Sequence, residues 1–239
     1  MSKLGAFGFL SSTEIQQDGA LNAGILDMAF ALQWVQAHID QFGGDKSRVT
    51  VAGQSAGAGG AMLLGIAKNG TLGTSLFSNV WSPLITLRSL LTMHQIIAAS
   101  PYLPPQHNFN ASAPTRQYQS FATRAGCANS TNTLSCLRSK DSITLPTANS
   151  DVNASNFYGH WAFAPVTESE SGFIHTHPSD SLTAGLVNGE NIIVGNNANE
   201  GPLLVPTIDT LQAWMQGAFP SVTSTEFEAI SSPPIRYRI

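Results

Sequence analysis

The chain has 239 residues, of which 42% are hydrophobic and 11% are charged, with 11 basic and 15 acidic side chains and a net charge of −4. A chain of this length can bury a sizeable core, and its mild negative charge argues against a nucleic-acid partner. Charged and polar residues interrupt every apolar stretch before it reaches the length of a membrane-spanning helix, which excludes such a span.

The N-terminal segment LGAFGFL is predicted to be a buried strand, because it is a short apolar run that ends at polar residues from Ser11 to Asp18. The next segment predicts a helix from Asn22 to Gln41, which Gly43-Gly44 terminates. Apolar residues recur there at three- and four-residue steps, which places them on one face: Ile25, Met28, Leu32, Val35, Ile39 and Phe42.

A strand, a tight turn and a second helix are predicted next. The β-branched run Val49–Ala52 leads directly into Gly53-Gln54-Ser55-Ala56-Gly57, and small and apolar residues continue from Ala58 to Ala67. A helix before a parallel strand and another helix after it are typical of an α/β sheet that is covered on both faces.

The second half of the chain predicts a long excursion and then a return to the sheet. Residues Ser100 to Asn156 are rich in Pro, Asn, Ser and Thr, which indicates loops and short helices. A strand is predicted at Ile192–Gly195, followed by the polar loop Asn196–Gly201, which contains Glu200, and by a helix around Thr210 to Gly217.

The pattern G-x-S-x-G at Gly53 to Gly57 predicts a serine nucleophile, Ser55, on a strained turn between strand and helix. The backbone N–H of Ala56, at the start of that helix, is the candidate donor to the oxygen of a tetrahedral intermediate. A serine hydroxyl needs a histidine base that a carboxylate orients, in the chain order serine, acid, histidine. An acid and a histidine are therefore expected after Ser55.

The segment Asp18 to Leu63 resembles the type-B carboxylesterases, which include cholinesterase-like enzymes and fungal lipases, and it is most similar to the fungal members. The resemblance continues through IIAASPYLPPQ, the Cys127 to Cys136 loop, Trp161 to Val166 and GNNANEGPLLVP. It implies an α/β-hydrolase fold, here partial, with the N- and C-terminal parts missing. It also implies hydrolysis of a small-molecule or lipid carboxylic ester through an acyl-enzyme, without a metal or an organic cofactor.

In this resemblance Ser55 corresponds to the nucleophile and Glu200 to the acid that orients the histidine, while Gln54 stands where relatives often have Glu. Weaker candidates for the acid are Glu168, Glu170 and Asp180. The histidine has no counterpart, since none occurs in the 39 residues after Glu200. His160, His175 and His177 precede the acid, and His38, His94 and His107 are expected to be solvated.

The glycine-rich oxyanion loop of the family is also absent before LGAFGFL. Loss of one oxyanion donor costs roughly 3 kcal/mol of barrier, and loss of the base up to about a millionfold in rate. The chain on its own is therefore expected to be nearly inactive. Two alternatives remain open, a non-catalytic cholinesterase-like binding protein and a truncated pseudoenzyme that does not fold stably.

Two segments depart from the family within one partial domain that spans residues 1–239. Residues 80–95, VWSPLITLRSLLTMHQ, are an insert that could be a retained intron, because valine codons begin with GT and one glutamine codon ends in AG. The alternative is a genuine surface helix that packs through Ile85, Leu87, Leu90 and Leu91. The tail 231–239 departs as well.

Cys127 and Cys136, in a polar segment, predict a small disulfide loop, with two unrelated buried thiols as the alternative. Four N-x-S/T sequons are candidate glycosylation sites: Asn69, Asn110, Asn129 and Asn153. Both features favour secretion of the full-length parent. The first residues do not have the pattern of a signal peptide, since polar residues follow where a cleavage site would lie.

Overall fold

The computed structural model describes residues 3–77, 95–156, 161–189, 191–200, 211–219 and 222–231. In chain order its elements are α1 Ala6–Phe9, α2 Thr13–Asp18, α3 Ala23–His38, β1 Val51–Gln54, α4 Ala56–Ile66, β2 Gln95–Ala99, α5 Ser112–Arg124, α6 Thr133–Arg138, α7 Thr144–Ala154, α8 Pro178–Thr183, β3 Asn191–Gly195, α9 Leu211–Ala218 and α10 Ser224–Ser231. Short 3-10 turns occupy Ile39–Phe42, Lys46–Arg48 and Ala67–Gly70. None of the helices in these ranges is long and apolar enough to cross a membrane.

Within the described residues the sheet contains three parallel strands in the order β1-β2-β3. Val51 pairs with Ile96, and Ile96 pairs in turn with Ile192 on the other side. Helices connect these strands and α4 packs on β1 and β2, while β3 is exposed along its length. The predicted α/β architecture and the predicted strand at Ile192–Gly195 are therefore confirmed, but the sheet is not covered on both faces. Because the strands are parallel and adjacent, the loops that follow all three leave from the same edge of the sheet.

Helix α4 packs unusually close to its neighbours because its sequence is rich in glycine. A Cβ atom at Gly59 would lie 2.1 Å from the carbonyl oxygen of Tyr102, and one at Gly60 would lie 2.8 Å from the sulfur of Met28. A Cβ at Gly65 would meet Ile96 of β2 at 2.9 Å. The missing side chains therefore let the helix that follows β1 lie directly on the sheet and on α3.

Two apolar clusters form the core. One lies between α3, α4 and the sheet and includes Ile25, Ala29, Ala61, Leu63, Leu64, Ile66, Ala67, Leu76, Phe77, Ile96 and Ile174. The other joins the N-terminal helices to α5, α6 and α7 and includes Ala6, Ile15, Leu21, Tyr118, Phe121, Leu134, Leu137, Val152 and Phe163. The excursion between β2 and β3 thus shares its core with the N-terminal helices.

The predicted N-terminal strand is wrong, because part of LGAFGFL forms helix α1. Gly5 precedes the helix at φ 56°, a conformation that favours glycine, and the N–H of Ala6 donates to Oδ1 of Asn149 at 2.8 Å. The side chain of Asn149 thus accepts the backbone hydrogen bond that a neighbouring strand would accept in a sheet. An apolar run of this length fits either structure, and here a contact with distant α7 decides between them.

The predicted helix after Asn22 is confirmed, but of its proposed apolar face only Ile25 is fully buried, most of the others are half-buried and Phe42 is exposed. Phe42 is 69% exposed, whereas Ile25 is 1% exposed. The α-helix ends at His38 and continues as a 3-10 turn, Ile39–Phe42. The tighter turn changes the angle between successive side chains, which rotates Phe42 out of the apolar face.

The two segments that depart from the family lie mostly outside the described residues. Residues 80–94 of the insert are outside them, and Gln95, its last residue, begins β2 opposite Asn191. In the tail, Ser231 ends α10 and residues 232–239 are outside the described part.

Cys127 and Cys136 form a disulfide with an S–S distance of 2.03 Å, as predicted, and the Cys127 side chain is fully buried beside α5. The bridge closes a loop between residues nine positions apart. Closing a loop of this size in the unfolded chain removes conformational entropy equivalent to about 2–3 kcal/mol.

Replacing both cysteines by serine is therefore expected to lower the free energy of unfolding by about 2–3 kcal/mol. Chemical denaturation followed by circular dichroism measures it. Treatment of the wild-type chain with a reducing agent serves as the matched control and should reproduce the loss. A double variant as stable as the oxidised wild type would contradict the prediction.

Candidate active site

Ser55 occupies a strained turn between β1 and α4. Its backbone lies at φ 55° and ψ −123°, a region that residues other than glycine rarely occupy. Three backbone hydrogen bonds hold it there. Ser55 N donates to Ala99 O, and the N–H groups of Gly59 and Tyr102 both donate to Ser55 O, each at 3.0 Å. The serine is solvent-exposed.

The two glycines of the G-x-S-x-G pattern have different surroundings. A Cβ atom at Gly53 would lie 2.2 Å from Gly57 O and 2.5 Å from Ala58 N, which are backbone atoms that cannot move aside. A Cβ atom at Gly57 would meet nothing within 4 Å in the described part of the chain. Only the first glycine is thus required by the packing of the turn itself.

Ala56 is the first residue of α4, so its N–H has no carbonyl partner within the helix. It is exposed, and no described residue accepts a hydrogen bond from it. The N–H lies next in sequence to the Ser55 hydroxyl, at the positive end of the helix dipole. It is therefore available to a negatively charged oxygen bound at Ser55.

Glu200 lies in the loop after β3, where its carboxylate accepts several hydrogen bonds. The Ser100 hydroxyl donates to Oε1, and both the backbone N–H and the side-chain amide of Asn197 donate to the same atom at 2.8 Å. These bonds stabilise the ionised form, so they lower the pKa of Glu200, with the Ser100 bond as the largest cause.

Ser100 connects the two predicted site residues. It follows β2, the strand between β1 and β3, and its own N–H donates to Gly195 O at 2.6 Å. The N–H of Ser55 donates to the carbonyl oxygen of Ala99, the residue before Ser100. Glu200 accepts a hydrogen bond from the side chain of Ser100. The structure therefore brings Ser55 and Glu200 to the same edge of the sheet, on either side of Ser100.

We expect the change Ser100→Ala to raise the pKa of Glu200 towards its ordinary value, because it removes the largest cause of the lowered pKa. In the wild type, the stabilisation that comes from ionised Glu200 persists to lower pH and is lost as the pH falls through the lowered pKa. The Ser100→Ala variant should lose this stabilisation at a higher pH than the wild type does. An NMR titration of the Glu200 side-chain carboxyl carbon measures the midpoint.

Glu226 provides an internal control for this titration. Its pKa is lowered by bonds from the backbone and hydroxyl of Thr223, and Ser100 is not among the causes of this shift. Its midpoint should stay constant in Ser100→Ala. An unchanged Glu200 midpoint in the variant would show that Ser100 does not hold the carboxylate.

No histidine within the described residues contacts Ser55 or Glu200. The ring of His38 contacts Trp34 at a centroid distance of 5.0 Å, and His175 Nε2 lies 2.7 Å from Gly172 O. His107 and His177 are described and are not bonded to either site residue, while His94 and His160 lie outside the described part. The site thus presents a serine and a carboxylate without a base between them.

The weaker acid candidates lie elsewhere in the fold. Glu168 accepts a hydrogen bond from the buried Asn22 amide at 2.7 Å, which fixes the start of α3. Glu170 is exposed, and Asp180 lies in the first turn of α8. Neither has a hydrogen bond to the loops at the Ser55 edge among the described residues.

A cavity of about 480 Å³ is connected to the serine turn through Tyr102; its described lining includes neither Ser55 nor Glu200. Tyr102, whose N–H donates to Ser55 O, is in its wall together with Trp161 and Phe163. Burial raises the pKa of the Tyr102 phenol, while a hydrogen bond with the Trp161 backbone acts in the opposite direction. A cavity of this volume matches the size of small-molecule binding sites.

A profile of the carboxylesterase family matches residues 3–229. The chain belongs to the carboxylesterase family. In overall structure it is similar to Aspergillus niger EstA, with a TM-score of 0.74 and 26% identity over 96% of this chain and 42% of that one. The fold is therefore an α/β-hydrolase fold, as predicted.

Curated relatives are similar over much of the chain. Secreted lipase 1 of Botryotinia fuckeliana is 31% identical over 84% of the chain, and carboxylesterase patB of Penicillium expansum is 34% identical over 85% of it. These matches cover 33% and 32% of the respective relatives. The chain therefore spans about a third of their length.

Sequence reasoning missed Ser100, Asn197 and Tyr102. Ser100 and Glu200 are 100 residues apart, and only the adjacency of β2 and β3 brings them together. A signal for Ser100 was present, since a serine follows the apolar run Ile96–Ala99, as Ser55 follows the predicted strand of β1. The cavity could not be predicted, because its walls come from segments between Phe9 and Phe219.

Proposed function

We propose that this protein is a carboxylic ester hydrolase in which Ser55 is the nucleophile and an acyl-enzyme is the intermediate. The strained backbone of Ser55 at the end of β1 carries the proposal, because it exposes the hydroxyl above the edge of the sheet. Family membership and the similarity to proteins named lipase and carboxylesterase support it. Such strain is stored where it serves a function.

In the proposed reaction Ser55 Oγ attacks the carbonyl carbon of the ester and a histidine base takes the hydroxyl proton. The N–H of Ala56 stabilises the oxyanion of the tetrahedral intermediate. Glu200, kept ionised by Ser100 and Asn197, orients and stabilises the charged imidazole. The intermediate expels the alcohol, which takes up the proton, and water then releases the acid from Ser55 by the same steps.

On its own this chain should hydrolyse esters much more slowly than a complete triad does, because no described histidine lies between Ser55 and Glu200. Electrostatic stabilisation and binding alone leave a residual rate of roughly a thousandfold over water. Reaction of the serine is therefore better detected through a covalent adduct than through turnover.

The proposal is tested by incubating the chain with a fluorophosphonate and locating the adduct by peptide mass spectrometry. We expect the adduct on Ser55 and its disappearance in Ser55→Ala. The variant Ser47→Ala is a matched control, since Ser47 is also near β1 but its hydroxyl is bonded to Asp45. An adduct spread over several serines, or none at all even with imidazole added as a base, would refute the assignment and favour a non-catalytic binding protein.

We further propose that the protein acts outside the cell. The Cys127–Cys136 disulfide supports this location, as does the similarity to a protein named secreted lipase. Two sequons also support it, because Asn110 and Asn129 are exposed, the latter inside the disulfide loop.

Glycans are expected at Asn110 and Asn129 but not at Asn69 or Asn153 when the chain is secreted from a fungal host. Asn153 donates to Asn149 O at 2.9 Å and accepts from Ala162 N at 3.2 Å, so a glycan would break the first bond. Oδ1 of Asn69 is buried. Enzymatic deglycosylation in heavy-oxygen water followed by mass spectrometry measures occupancy at each site. Occupancy at Asn153 would contradict the prediction.

A further inference from the structure

The cavity beside Ser55 has a distinctive charge. Arg116 carries the one formal charge in its described lining at neutral pH, and none of these lining residues is an aspartate or glutamate. The chain as a whole carries a net charge of −4, so this composition is not a consequence of the overall balance. A cavity lined in this way attracts anions and disfavours cations.

Arg116 is exposed at the edge of the cavity, and its guanidinium has no hydrogen bond or ion pair with any described residue. Other arginines of the fold are paired. Arg124, about two turns further along α5, lies 3.8 Å from Asp151, and Arg138 lies 2.6 Å from Asp18. The Arg116 guanidinium therefore retains its planar set of donors for a ligand, and a carboxylate fits that set with two parallel bonds.

The rest of the described lining is rich in aromatic side chains. Five of them contribute to it: Phe9, Tyr102, Trp161, Phe163 and Phe219. Phe163 is itself fixed by an edge-to-face contact with Phe121 at a centroid distance of 5.8 Å. Prolines at several lining positions restrict the backbone further. Walls of this kind bind planar rings better than flexible chains, because less conformational freedom is lost.

We propose that the cavity binds the part of an ester that carries an aromatic ring and a carboxylate, and that Arg116 is the specificity-determining residue that binds the carboxylate. The inference rests on the proposed function, since it identifies the substrate class of that same site. The ring lies against the aromatic walls, and the ester bond points towards Ser55 past Tyr102, whose N–H donates to Ser55 O at 3.0 Å.

The test compares 4-acetoxybenzoate with its neutral analogue 4-acetoxybenzamide, and ligand-detected NMR gives the dissociation constants. The full chain with Ser55→Ala is used, so that the ester is not consumed. We expect the anion to bind roughly threefold to fivefold more tightly than the amide, as is typical of an exposed charged pair. The preference should shrink at high salt.

The variant Arg116→Gln should bind both ligands equally, and Arg116→Lys should retain part of the preference because it retains the charge. Arg124→Gln is the matched control, since it removes a charge from the same helix without changing the cavity lining, and it should leave the preference intact. Three outcomes would overturn the proposal. They are equal binding of the two ligands to the chain that carries Ser55→Ala alone, a preference for the anion that survives Arg116→Gln, and no binding of either ligand at millimolar concentration.

The measured preference for the anionic ligand is independent of the reaction at Ser55. Binding is measured in a variant that cannot form an acyl-enzyme, whereas the proposed function is tested by a covalent adduct on the serine itself. Failure of the adduct with a retained preference would leave an anion-binding cavity without catalysis. An adduct without a preference would leave the esterase without this specificity.

Discussion

The change Gly53→Ala is expected to lower the free energy of unfolding of the chain by a large amount. The new Cβ would lie 2.2 Å from Gly57 O and 2.5 Å from Ala58 N, inside the turn that positions Ser55. Both atoms belong to the backbone, so relief requires the strand and the helix to separate. We expect a loss on the order of 3–5 kcal/mol, a large part of the 5–15 kcal/mol that stabilises a typical domain.

Gly57→Ala provides the matched control within the same pattern. A Cβ atom there meets nothing within 4 Å among the described residues, and alanine favours a helix more than glycine does. The variant should therefore match the wild type or exceed it by up to about 1 kcal/mol. Urea denaturation followed by circular dichroism measures both variants. Similar stability of Gly53→Ala and Gly57→Ala would show that packing of the turn does not require the first glycine.

Local signals predicted much of this fold. The β-branched run before Ser55, the glycine pattern around it and the small residues after it specify a strand, a turn and a helix within a short segment. The strand at Ile192–Gly195 was predicted for the same reason. Neighbours in sequence determine such elements, since strand propensity and turn chemistry act over a few residues.

The errors and omissions depended on distant contacts. Helix α1 was predicted as a strand because its apolar run gave no indication that Asn149 would bond to the N–H of Ala6. The amide of Asn22 bonds to both Val166 O and Glu168, which turned a candidate acid into a structural group. Sequence patterns do not encode these pairings, and only the arrangement of elements reveals them.

The Glu200 assignment depended on resemblance, because a lone carboxylate in a polar loop has no local pattern that separates it from a solvated one. The structure adds a physical reason to consider it, namely hydrogen bonds from Ser100 and Asn197 that keep it ionised. The role of Glu200 in orienting a base remains a prediction. A direct test of that role requires a base that can be added and removed.

Free imidazole is expected to accelerate the reaction of Ser55 with a fluorophosphonate by about a hundredfold, within the range that general-base catalysis contributes. β1 and β3 are separated by β2, so the carboxyl ends of these two strands are about 10 Å apart, two strand spacings; Ser55 directly follows β1, and Glu200 lies in the loop after β3. For this acceleration, imidazole must bind between the Ser55 hydroxyl and the Glu200 carboxylate. The described residues leave this position without a histidine.

The variant Glu200→Gln distinguishes imidazole that the Glu200 carboxylate orients from imidazole that acts as a free base in solution. If Glu200 holds the added imidazole in place, the variant should lose most of the acceleration while its slow reaction without imidazole stays nearly unchanged. The rate is followed as adduct formation on the Ser55 peptide, at constant pH and ionic strength, with N-methylimidazole as a base that cannot donate to the carboxylate. Equal acceleration of the wild type and Glu200→Gln would remove Glu200 from the proposed mechanism.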